Sequence, residues 1–280
     1  MPTQTAAGSP AAIAFGVTLR STRLRHGFGV RQLARQLDLA PGLLSNWESG
    51  ARVPHEAEVA RLLGSLRAPT FEYSRVIEAF NQVRINEYAE PAMPDYPPLM
   101  HAYEQISTQI FEWAPIFTPS PFQTENFARE IVNPSLSNSR KLDNLATFNQ
   151  SRKEALIARK GLVQYELFLG SRALTPGHVS AHVNSEQNRH LLHLVESGTI
   201  TLRVMPAAEW GLESTSPFAQ YRLADKRRLT AVAVKSWPTT VYLTTNGQLR
   251  DFRKMLEVLD EFAYGAEMSR NLLLEAIADD

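Results

Sequence analysis

The chain has 280 residues, 44% of them hydrophobic and 21% charged, with 29 basic against 29 acidic side chains and no cysteine. That length allows two domains at about 100–200 residues each, and the composition is that of a globular protein. The lack of cysteine excludes disulfides and thiolate metal centres. No apolar run nears the roughly 20 residues that a membrane-spanning helix needs. The N-terminus, MPTQTAAGSPAAIAFG, lacks the basic region of a signal peptide, so a cytoplasmic protein without membrane attachment is expected.

The neutral total hides an asymmetry. Residues 1–67 hold eight arginines, no lysine and four acids, a balance of +4 that leaves −4 for the remainder. A basic head on an acidic body predicts that the head meets a polyanion.

Residues 1–12, rich in Ala, Pro, Thr and Gly, read as a disordered lead. Phe15 to His26 reads as a first helix with Phe15, Leu19 and Leu24 apolar, and Gly27 stops it. Leu33, Ala34 and Leu37 give a second helix at helical spacing. Asp38-Leu39-Ala40 interrupts the pattern, and Pro41 opens a third helix where a missing N–H costs nothing. Leu43, Leu44 and Trp47 form that helix's apolar face before Gly50 ends it. Two short helices packed by their inner faces around a tight turn make a helix-turn-helix, although the spacing alone fits an ordinary helical hairpin equally. The outer face of the third helix carries Gly42, Ser45, Asn46 and Ser49, small or polar residues that can enter a DNA major groove. His55 to Leu66, with Val59, Leu62, Leu63 and Leu66 as its buried stripe, and Phe71 to Tyr88 complete a five-helix, all-α domain over residues 13–88.

The head resembles the XRE (Cro/cI, phage-repressor) class of helix-turn-helix transcriptional regulators. The matching residues are Leu24, Gly27, Leu33, Ala34, Leu37, Leu39, Leu44, Trp47, Glu48, Gly50 and Pro54. The resemblance implies that Glu48 pairs with Arg23 and sets the angle between their helices; two solvated surface charges are the plainer alternative. It also implies binding to double-stranded DNA as a homodimer on two half-sites about 10 base pairs apart, with the protein nucleoid-associated when bound. Two departures stand out. Asp38 occupies a turn position often held by Gly, and it tolerates the left-handed conformation better than most residues. Pro41 and Gly42 stand where relatives place a base reader, and neither makes a bidentate base contact. Base contacts therefore fall to Ser45 and Asn46, with Ser49 and Gly42 beside them, while Arg31, Gln32, Arg35 and Arg52 hold phosphates. Specificity is expected to lean on DNA shape.

Glu90 to Pro98 has four prolines in nine residues, which marks residues 89–100 as a stiff linker. Residues 101–280 then read as an α+β domain. Tyr103 to Phe111 and Asn144 to Leu156 are helix-like. Val163–Leu169, Ile200–Met205, Phe218–Leu223, Leu229–Lys235 and Thr239–Thr244 give an antiparallel sheet of about five strands, the last three as a meander. Pro115, Phe122, Gln123, Thr124, Phe127, Ala128 and Arg129 resemble a turn-and-helix motif of actinobacterial WhiJ-like regulators. So do Leu202 to Pro206, Ser216-Pro217-Phe218 and the final helix around Glu267-Met268-Ser269. This resemblance implies a ligand- or protein-sensing domain and a small companion protein, as in an antitoxin-like pair.

Trp113, Phe117, Phe122, Gln123 and Thr124 could line a ligand or partner pocket; core packing of the aromatics is the competing role. His178 and His182 have metal-pair spacing with His190 and His193 nearby, yet HExxH is missing and Pro176-Gly177 opposes a helix at His178, so no metal is expected. Catalytic signatures and cofactor fingerprints are lacking too. The sequence is thus read as a regulator and not an enzyme. The alternatives are a protein-interaction adaptor or antitoxin-like partner, and an enzyme with a regulatory head.

Overall fold

The computed structural model describes residues 7–83, 88–91, 99–131, 139–207, 216–223, 230–236 and 239–278. The chain divides into two compact units, Met1–Ala89 with Tyr242–Thr245, and Glu90–Val241 with Asn246–Asp280.

The first unit is built from α1 (Pro10–Arg25), α2 (Val30–Gln36), α3 (Pro41–Glu48), α4 (Glu56–Ser65) and α5 (Thr70–Gln82). Helix α1 begins five residues before the expected start at Phe15, so the lead is shorter than residues 1–12. The local reason is a cap: the Ser9 hydroxyl accepts from the Ala12 amide at 3.1 Å, and Pro10 sits in the first turn. Pro10 to Phe15 are buried, so the Ala/Pro stretch is core. Leu24, expected among the apolar residues of this helix, is 55% exposed, whereas Phe15 and Leu19 are fully buried. At 3.6 residues per turn Leu24 stands about 140° round the helix from Leu19. The core gathers Phe15, Leu19, Leu33, Leu44, Trp47, Leu62, Leu63 and Val76, and Phe80 meets Phe15 edge-on at 5.5 Å. Tyr88 belongs to a strand and not to α5.

Of the expected linker, Tyr88–Pro91 forms β1 and Leu99 starts α6 (Leu99–Ile106); its proline-rich centre, residues 92–98, lies outside the described residues. The expected helix Tyr103 to Phe111 is corrected here. It ends at Ile106, and Ser107–Ala114 is β2. The apolar i, i+4 pair Ile106 and Ile110 misleads, because Ile106 is 41% exposed and Ile110 buried. Thr108, Ile110, Phe111 and Trp113 are strand-favouring residues, and β2 has a partner on each side to satisfy its backbone.

The chain continues through α7 (Glu125–Ile131), α8 (Ser139–Ala158), β3 (Gln164–Gly170), α9 (Ala181–Glu196), β4 (Thr201–Met205), β5 (Phe218–Leu223), β6 (Thr230–Ser236), β7 (Thr239–Leu243), α10 (Asn246–Phe262) and α11 (Ala266–Ala278). Among the described residues the sheet therefore has seven strands and not five, in the order β1-β7-β6-β5-β2-β3-β4. It is mixed and not antiparallel. β2, β3 and β4 run parallel through helical crossovers, while β5 pairs antiparallel with both β2 and β6.

Helices cover both faces. Tyr103 of α6 stacks on Tyr221 at 5.1 Å, and Phe252 of α10 meets Phe218 edge-on at 4.9 Å, three residues along β5 and so on the other face. On the Tyr221 face lies a buried polar network. Arg152 of α8 donates Nε to Glu104 Oε2 at 2.9 Å, Nη2 to Oε1 at 2.5 Å and Nη1 to the Ser120 hydroxyl at 2.9 Å. Burial works against the Arg152 charge, but Glu104 more than offsets it and the pKa rises. Glu112 takes both the Tyr165 hydroxyl and the Lys235 ammonium. The exposed rim of β4 is closed by the last helical pair: Val204 N–H donates to the Ser269 hydroxyl at 2.8 Å, and its carbonyl accepts from the Tyr264 amide at 2.9 Å.

Candidate nucleic-acid interface

Helices α2 and α3 are joined by Leu37 to Ala40. The turn closes because Asp38 adopts φ 51°, the left-handed conformation. Leu33, Ala34, Leu44 and Trp47 are buried between the helices, and the polar side of α3 faces outward: Gly42, Ser45, Asn46 and Ser49 are all exposed. Ser49 is the C-cap residue, and its hydroxyl donates to the Asn46 carbonyl at 3.2 Å. Among the described residues, the Ser45 and Asn46 side chains have no hydrogen-bond partner.

Helix α1 holds α3 in place by two features. Arg23 donates Nε and Nη2 to the two Glu48 oxygens at 2.6 and 2.8 Å, and Nη1 to the Phe28 carbonyl at 2.5 Å. The pair is buried, at 4% and 7% side-chain exposure. Such a pair is a geometric clamp more than a stability source, since desolvation offsets most of the attraction. The second feature is Gly16, which the sequence reading did not single out. A Cβ there would lie 2.6 Å from the Glu48 carbonyl oxygen and 2.7 Å from that of Trp47, so only glycine lets α1 pass over the end of α3. Glu72 of α5, also missed, receives Arg25 at 3.2 Å and His26 at 2.8 Å and ties the same C-terminal end of α1 to α5. No sequence signal marks either contact, because both are long-range.

Arg31 and Arg35 on α2 and Arg52 after α3 are exposed, and among the described residues none has an acidic partner. Gln32 differs: its Oε1 accepts from the Gly29 amide at 3.4 Å, at the start of its own helix.

The five residues expected to share a pocket in the C-terminal unit are divided. Trp113 and Phe122 are buried, Phe122 edge-on to Tyr165 at 4.9 Å, and Phe117 packs on His178 at 5.2 Å. Gln123 and Thr124 line a cavity of about 740 Å³ bounded by α7 and α8, without the aromatics. The Gln123 amide donates to the Thr118 carbonyl at 2.7 Å, and the Thr124 amide donates to Gln187 at 2.8 Å, so this turn is anchored to α9. Among the described residues no three metal-ligating side chains cluster. His190 sits half-buried, its pKa pushed down to about 4 by burial and then by Lys153 and His193. No described helix is long and apolar enough to cross a membrane.

A helix-turn-helix head joined to a mixed α/β sheet domain defines the class, and comparison with known proteins agrees. A helix-turn-helix domain family matches residues 14–71, and a domain of unknown function, DUF5753, matches residues 98–275. The second match spans well over half of the chain, which belongs to the DUF5753 family. No curated protein matches it. Among solved structures, the clp gene regulator ClgR from C. glutamicum is 30% identical, with 26% of this chain and 91% of that one covered at a TM-score of 0.23.

Proposed function

We propose that the chain is a sequence-specific, DNA-binding transcriptional regulator of the XRE type, acting as a homodimer, whose C-terminal unit senses a ligand or a protein partner. The observation that carries this reading is the exposed polar face of α3, clamped at its C-terminal end by Arg23–Glu48 and flanked by three arginines that have no acidic partner among the described residues. Ser45 and Asn46, helped by Ser49 and by the close approach that Gly42 permits, read base edges; Arg31, Arg35 and Arg52 grip phosphates. Gln32 joins them on giving up its contact with Gly29. With only two or three base readers per head, one module binds weakly alone, and pairing across half-sites supplies the missing affinity. A ligand or a small companion protein, as in WhiJ-like regulators, acts by favouring one dimer geometry.

The test is a titration of the purified full chain against its own promoter DNA at two salt concentrations. Binding that weakens steeply with salt and exceeds that of scrambled DNA supports the reading; salt-independent or absent binding overturns it. Pro41 and Gly42 at the front of α3 favour a second reading, a protein adaptor, which predicts a protein captured on the α3 face that Asn46→Ala releases.

A further inference from the structure

A second cavity, of about 570 Å³, lies on the Phe218 face of the sheet, where Gln220 and Arg222 of β5 and Gln109 of β2 face Asn246, Leu249 and Arg253 of α10. Its volume falls in the range of small-molecule sites. Gln220 is 1% exposed and lines this cavity, and among the described residues its Oε1 has no hydrogen-bond partner. A buried amide oxygen left unmet is costly, and a cavity that holds one is shaped to receive a donor.

The charge around it has one sign. Arg222 lies over the Phe111 ring at 4.9 Å and donates Nη1 to Gln109 Oε1 at 3.2 Å, which orients the guanidinium and, among the described residues, leaves its Nη2 edge open. Arg253 is held by Nε on the Leu249 carbonyl at 3.2 Å, and among the described residues both terminal nitrogens are left over. The first residue of the seventeen-residue α10, Asn246, lines the same space on the side that carries Leu249 and Arg253 one and two turns on. Among the described residues no acidic side chain lines the cavity.

We propose that this cavity binds a small oxyanion-bearing metabolite, its carboxylate or phosphate held by Arg222 and Arg253 and a hydroxyl or amine of the same molecule donating to Gln220 Oε1. The proposal deepens the sensing role given to the C-terminal unit and rests on that reading for its consequence. The order of function is direct: an anion drawn between β5 and α10 screens the two guanidinium groups and tightens α10 on the sheet. The aromatic turn at Trp113 to Thr124 takes no part.

The experiment is isothermal titration of the full chain with L-malate, glycerol 3-phosphate and inorganic phosphate as probes and glycerol as the neutral control. Binding of malate or glycerol 3-phosphate, with glycerol silent, is expected. Arg253→Gln, an exposed position, should weaken it about tenfold with an unchanged melting temperature. Gln220→Leu should erase the preference for the hydroxylated probes over inorganic phosphate. Binding of none of the probes, or binding equal in wild type, Arg253→Gln and Arg222→Gln, overturns the site. Promoter binding is measured in parallel with and without saturating probe. A probe that binds in the cavity yet leaves DNA affinity unchanged upholds the site and overturns sensing, so the two failures are distinct.

Discussion

Arg23 and Glu48, 25 residues apart, meet through two parallel hydrogen bonds of 2.6 and 2.8 Å and thereby lock the first helix to the end of the third. Removing one partner strands a buried charge. Glu48→Gln should therefore cost about 3–5 kcal/mol in urea denaturation, and Arg23→Met/Glu48→Leu together less than the sum of the single changes. Additive effects would mean that the pair does not act as a unit.

Gly16 and Gly42 provide a contrast within one domain. Gly16→Ala forces a Cβ to within 2.6 Å of the Glu48 carbonyl and should cost about 1–3 kcal/mol, lowering the melting temperature and DNA affinity together. Gly42 has open space around it, and Gly42→Ala should be neutral or stabilising by up to about 1 kcal/mol. Differential scanning calorimetry of both variants checks the ordering.

Ser269 satisfies the Val204 amide at the rim of the sheet. Ser269→Ala leaves that donor unmet, at about 1–3 kcal/mol, and amide hydrogen exchange at Val204 should accelerate while that at Leu167, deep in the sheet, changes less. Equal acceleration at both residues would contradict a local role.

His190 gives the C-terminal unit a pH dependence of definite sign. Its folded pKa, about 4, lies below the unfolded value near 6.5. Between those values the unfolded chain binds a proton that the folded chain refuses, so the contribution is complete above about pH 6.5 and is lost as pH falls toward 4. For a half-buried ring the effect is about 1 kcal/mol after solvent screening. Melting temperatures across that range should fall more steeply for wild type than for His190→Gln.

The head was largely legible from the chain because its signals are local: apolar spacing in α2 to α4, Asp38 at the turn, Pro41 and Gly50 as boundaries. What escaped was packing between distant segments, namely Gly16 against Glu48 and Glu72 against Arg25. The start of α1 was missed because an Ala/Pro stretch reads as a tail unless its burial is known. In the C-terminal unit the short strands β3 to β7 were found from their turn-bounded runs. β2 is hidden in the sequence because Ile106 and Ile110 copy helical spacing, and without β2 the parallel half of the sheet has no sequence mark. The candidate cavity at Gln220 has no sequence mark, since its residues come from 108 to 253.

The central claim, that α3 reads DNA while nearby arginines hold its backbone, is tested most directly by fluorescence anisotropy on promoter DNA and on a scrambled duplex across a salt series. Arg52→Ala should weaken both duplexes alike and flatten the salt slope by about one unit. Asn46→Ala should leave the slope unchanged and cost about 1–3 kcal/mol of preference for the promoter. Two variants that bind as the wild type does, at every salt concentration and on both duplexes, would contradict it.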